Sequence, residues 1–80
     1  MFGWRTPPET VDVGDVFRRI RPSKTAEIAE IMSVWPDRTG IPHVRFRLQI
    51  VRQGRALPET DERTLSLAAF RQLFPERMSA

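Results

Sequence analysis

The clearest pattern in the chain is strict alternation across His43–Ile50. Val44, Phe46, Leu48 and Ile50 fall on one side, and His43, Arg45, Arg47 and Gln49 on the other. Successive side chains of a strand point to opposite faces, so this spacing predicts a half-buried strand with a basic outer face. It starts at Pro42, where a missing N–H is tolerated, and runs to about Arg52. Upstream, Val13-Gly14-Asp15 is a turn signal leading into the β-rich run Val16–Ile20, with Val16, Phe17 and Ile20 as core candidates, and Pro22-Ser23 ends that run. Downstream, Arg63–Leu67 alternates as a short strand. Ala68–Phe74 then changes to helical spacing, with Phe70, Leu73 and Phe74 on one side, until Pro75 stops it.

Thr25–Trp35 carries two patterns at once. Ile28, Ile31, Met32 and Trp35 have helical spacing, and Ser23 stands where a helix cap belongs. As a strand, Ala26, Ile28, Met32 and Val34 share a face, with Glu30 as a misfit. The compact turn Asp37–Gly40 leads directly into the strongest strand, and a hairpin joins the two segments economically. The segment is therefore read as a strand with a bulge near Glu30. Gln53–Glu62, with Gly54 and Pro58, is read as a polar loop ending in the acidic group Glu59, Asp61 and Glu62.

The chain has 80 residues, 40% of them hydrophobic and 29% charged, which bounds it to one small globular domain. A chain of this length buries only roughly 60–65% of its unfolded surface, so its core is small. Residues 1–12 are Pro-rich and are expected to form an N-terminal arm, residues 13–75 the domain, and residues 76–80 a frayed tail. Trp4, in the arm, is expected to fold back onto apolar surface. There is no cysteine, which excludes disulfides and thiolate metal sites. No apolar run approaches the ~20 residues of a membrane span, and the N-terminus lacks a signal-peptide pattern, so a cytoplasmic protein is expected.

Twelve of the thirteen basic residues are arginine, and the net charge is +3. Within residues 37–55, Arg38, Arg45, Arg47, Arg52 and Arg55 stand against Asp37 alone, a net of +4, whereas residues 56–62 carry −3. Arginine's planar fork suits phosphate oxygens, which makes Arg18, Arg19, Arg45, Arg47 and Arg52 the candidate contacts to RNA or DNA. The competing structural role is cross-strand pairing of Arg45 and Arg47 with Glu27 or Glu30. Free, clustered arginines favour nucleic acid. Arginines locked to those glutamates beside an exposed apolar patch favour a protein partner.

Catalytic and metal chemistry find little footing. His43 is the single histidine and has no partners for a metal site or a nucleophilic triad, so it is read as structural or solvent-facing. Glu59, Asp61 and Glu62 match no cation-binding spacing and are read as a solvated acidic loop. Leu57-Pro58-Glu59-Thr60 looks like a sortase signal, but Asp61 stands where glycine is needed and no apolar tail follows. No cofactor, metal or small-molecule substrate is expected.

The Val13-Gly14-Asp15-Val16 opening, the hairpin turning at Asp37–Gly40 and the helical turn after Arg63–Leu67 together resemble the SH3-like small β-barrels, with KOW and Tudor-type modules nearest, over roughly residues 13–74. Gly40–Phe46 and Arg63–Phe70 are also similar to segments of short uncharacterised bacterial proteins, a likeness that implies no activity. The barrel resemblance implies binding, since such barrels host many functions. The expectation is a mainly β, SH3-like barrel of four to five antiparallel strands with a short C-terminal helical turn. Its expected role is that of a non-enzymatic module contacting nucleic-acid phosphates. The alternative is a protein-interaction adaptor or homodimer, using an apolar groove near Trp4 and Trp35 or an open strand edge.

Overall fold

The computed structural model describes residues 11–78. Its elements are β1 (Val16–Ile20), β2 (Ala26–Pro36), β3 (Pro42–Arg52), β4 (Arg55–Ser66), α1 (Leu67–Leu73) and β5 (Glu76–Arg77). They build one antiparallel sheet in the order β4-β3-β2-β1-β5. The mainly β architecture with one short C-terminal helix is therefore as expected. The sheet is not closed into a barrel, because β4 and β5 remain its two edges. Closure is not needed to bury the core. The helix side chains cover one face of the sheet instead.

That covered face holds Phe17 of β1, Ala29 and Ile31 of β2, and Val44, Phe46 and Leu48 of β3, all buried with Val11, Phe70 and Phe74. Phe70 meets Phe17 edge-on at a centroid distance of 5.2 Å, Phe46 at 4.9 Å and Phe74 at 5.1 Å. Ala29 sits between Phe17 and Leu48 in its cross-strand row, and its small side chain leaves space for the phenylalanines above. Ser66 caps α1 by accepting from the Ala69 N–H at 3.2 Å. The Phe74 N–H donates to the Phe70 carbonyl at 2.8 Å, and Pro75 ends the helix.

Thr25–Trp35 is a strand and not a helix, but its inner face differs from the expected one. Glu27, Ala29 and Ile31 point to the core, whereas Ile28 lies on the opposite face with Arg18 and Gln49. The bulge falls between Ile31 and Ser33, at Met32, and not at Glu30. It restores Val34 to the core-side row opposite Val44. Ile20, expected in the core, is exposed near the end of β1.

The segment read as a polar loop over Gln53–Glu62 is mostly strand. Gln53 and Gly54 both take positive φ, 53° and 78°, the signature of a two-residue type I′ turn. That turn fits the right-handed twist of flanking strands, so β4 starts at once at Arg55. Leu57, Pro58 and Glu59 bulge opposite Ile50, and pairing resumes at Thr60. An edge strand tolerates this proline because one side of its backbone has no partner strand. The expected frayed tail is also ordered at its start, since Glu76–Arg77 pairs with Arg18–Phe17 as β5. Val11, placed in the expected arm, belongs to the buried core.

Candidate functional site

The face of the sheet away from α1 is assembled from the alternate positions of each strand. Its cross-strand rows are Trp35–His43–Ser66, Ser33–Arg45–Thr64, Val16–Glu30–Arg47–Glu62, and Arg18–Ile28–Gln49–Thr60. Val16, Ile28, Glu30, Arg47, Gln49 and Thr60 line a shallow pocket of about 240 Å³ on this face. The aliphatic groups of Val16 and Ile28 give it apolar surface, and the guanidinium, amide and hydroxyl groups give it a polar rim.

The strand alternation divides the predicted arginines between two faces. Arg18, Arg45 and Arg47 lie on the open face, whereas Arg19 and Arg52 lie on the helix side. Most of them are engaged. Arg18 binds Glu76 through two bonds, Nε to Oε1 at 3.0 Å and Nη2 to Oε2 at 2.5 Å. Arg47 pairs with Glu30 at 3.6 Å and has Glu62 opposite it on β4. Arg19 donates to the buried Glu27 through Nε at 2.8 Å and through Nη2, with its guanidinium carbon 5.1 Å from the Phe74 ring centroid. Arg21 reaches the other oxygen of Glu27 at 3.6 Å. Arg45 and Arg52 have no ion pair among the described residues.

Trp35, one of the two aromatic candidates, is 37% exposed at the end of the β2–β3 hairpin. Its ring stacks on His43 at a centroid distance of 6.1 Å, and Val34 and Ile41 are exposed nearby in the same hairpin. Trp4, the other, lies outside the described residues. His43 has Nδ1 3.0 Å from the Ile41 carbonyl and 3.9 Å from Asp37. Asp37 ties the turn together by accepting from the Thr39 hydroxyl at 2.8 Å, the Thr39 N–H at 2.8 Å and the Ile41 N–H at 3.0 Å.

Glu59, Asp61 and Glu62 do not converge. Glu59 lies in the bulge, Asp61 accepts from Arg63 Nε at 2.9 Å, and Glu62 shares the opposite face with Arg47. Among the described residues no group of three or more His, Asp or Glu side chains gathers as a metal site, and no helix is long and apolar enough to cross a membrane. Compared with protein-family models, with curated proteins and with solved structures, the chain matches none.

Among the described residues, three carboxylates are held below their ordinary values. Asp15 is lowered first by the Asp12 N–H and also by Arg77, Asp37 first by the Thr39 hydroxyl, and Glu76 first by Arg18. A carboxylate with a depressed folded-state pKa adds stability that is present above its unfolded value and lost as the pH falls through the folded one. The urea midpoint should therefore hold from neutral pH down to about pH 5 and drop below about pH 4. Asp15→Asn should shrink the drop, and a midpoint insensitive to acid would contradict these interactions.

Proposed function

We propose that this chain is a small binding module, not an enzyme, whose open sheet face receives an extended peptide segment of a partner protein. The observation that carries this is the neutralisation of Arg18 and Arg47 by Glu76 and Glu30 on a face that also holds an apolar-lined pocket. A phosphate backbone needs uncommitted cations, and among the described residues of this face the unpaired arginine is Arg45. A pocket of about 240 Å³ is smaller than a typical small-molecule site of roughly 300–1,000 Å³ and suits one aliphatic side chain. Gln49, Thr60 and Arg47 are placed to hydrogen-bond the partner's polar groups. Trp35 stands on the same face two rows away, roughly 13 Å along the strand, as a second anchor. The finer fold assignment, an SH3-like topology, is supported by the meander whose fifth strand returns to pair with the first after a helical segment.

Random peptides displayed on phage and selected on the intact protein provide the test. Selected peptides should shift the amides of residues 28, 30, 35, 47, 49 and 60. Trp35→Ala should weaken them on the order of tenfold or more, as expected for a tryptophan anchor. Peptides that map elsewhere, or bind Trp35→Ala unchanged, overturn the proposal.

A further inference from the structure

A separate concentration of charge lies at the end of the sheet opposite Trp35. The turn between β1 and β2 (21–25) and the turn between β3 and β4 (53–54) end beside one another there, because Ile20 pairs with Ala26, Ala26 with Val51, and Val51 with Ala56. Between them lies an open pocket of about 470 Å³ lined by Ser23, Lys24, Thr25, Arg52 and Gln53. Its lining contains no carboxylate. Lys24 takes a left-handed backbone, φ 65°, with its N–H donating to the Arg21 carbonyl at 2.8 Å. Ser23 donates its hydroxyl to Thr25 Oγ1 at 3.2 Å, which leaves the Thr25 hydroxyl proton free to donate elsewhere.

The cations here are uncompensated. Arg52 and Arg55 stand directly opposite one another across the hairpin. Like charges in that position repel and destabilise a sheet. Neither they nor Lys24 has an ion pair among the described residues, and the nearby Glu27 is already engaged by Arg19 and Arg21. An anion seated between the two turns would relieve the repulsion and take hydrogen bonds from hydroxyl, amide, ammonium and guanidinium groups together.

We propose that this end of the sheet binds the phosphodiester backbone of a nucleic acid, with Lys24, Arg52 and Arg55 as the principal contacts and Ser23, Thr25 and Gln53 as hydrogen-bonding partners. The cationic row spans the width of β1 to β4, roughly 10–15 Å, more than a single phosphate fills, so successive backbone phosphates are the fitting ligand. No aromatic side chain lines the pocket, so the contact reads backbone and not base identity. This site shares no residue with the peptide face, and it stands or falls independently of it.

The test titrates the labelled, full chain with a short single-stranded RNA, a short DNA duplex and inorganic phosphate, each at low and moderate salt. One or both oligonucleotides should shift the amides of residues 21–25 and 51–55, and inorganic phosphate should bind far more weakly. Lys24→Gln and the pair Arg52→Gln with Arg55→Gln should each weaken binding several-fold. The log–log salt slope should fall by about 0.7–0.9 for each cation removed. Arg45→Gln, on the open face, should bind as the parent does. The Arg52→Gln, Arg55→Gln protein should also keep or raise its urea midpoint, which shows that it folds. Absence of shifts at low salt, inorganic phosphate binding as tightly as the oligonucleotides, or an unchanged salt slope in the variants would each overturn the proposal.

Discussion

Phe70→Ala should lower the urea midpoint sharply, by the equivalent of about 3–5 kcal/mol. Phe70 is fully buried, and it is the one buried residue of α1. Its ring touches Phe17 of β1, Phe46 of β3 and Phe74, so it joins β1, β3 and the end of α1. Removing a buried phenylalanine side chain costs about 3–5 kcal/mol. A chain of this length has a total stability of roughly 4–12 kcal/mol, so that loss removes much of it. Urea unfolding followed by tryptophan fluorescence and circular dichroism measures it. The neighbouring Leu73→Ala, at an exposed position of the same helix, should cost under about 1 kcal/mol. Equal costs for the two substitutions would mean that the helix does not cover the core in the way described.

Glu27→Ala should be strongly destabilising although it removes a polar side chain. Glu27 is 8% exposed and points to the same side as Ala29 and Ile31, where Arg19 and Arg21 bind it. Without it, the Arg19 guanidinium remains against the Phe74 ring with no counter-charge. Breaking a buried pair on one side costs about 3–5 kcal/mol, and Arg19 is 26% exposed, so water reduces the cost here to about 2–3 kcal/mol. Replacing both partners together, Arg19→Met with Glu27→Leu, should recover most of the loss, because neither desolvated charge is left behind. A double-mutant cycle separates the two outcomes. If Glu27→Ala costs under about 0.5 kcal/mol, the pair behaves as a solvated surface contact.

β3 was legible because Val44, Phe46 and Leu48 alternate without interruption, and they are its buried row. The helix was legible because Phe70 and Phe74 change the spacing and Pro75 ends it. The inner face of β2 was not legible. Its alternation places a glutamate, Glu27, among the inward positions, and Arg19 and Arg21 make that burial acceptable. Local hydrophobicity favoured Ile28 instead, and the pairing that decides the matter joins residues distant in the local pattern. The length of β4 was hidden for a related reason. Arg55–Glu62 has the composition of a loop, and it becomes a strand because the Gln53-Gly54 turn presents it directly to β3. The ion pairs that engage Arg18 and Arg47 depend on register and on the return of β5, neither of which residue types alone specify. The open-face pocket was missed with them, since Val16 was assigned to the core and Ile28 to the expected inner face of its strand.

The return of β5 to β1 also orders the assembly of the molecule in time. The contiguous hairpins β1–β2, β2–β3 and β3–β4 can pair as soon as each second strand leaves the ribosome. Phe17, made early, meets Phe70 only after β2, β3 and β4 have been synthesised, and β1 gains its outer neighbour later still. A nascent chain interrupted before residue 70 therefore lacks the rings that cover Phe17 and Phe46, and that apolar surface is what a chaperone would meet.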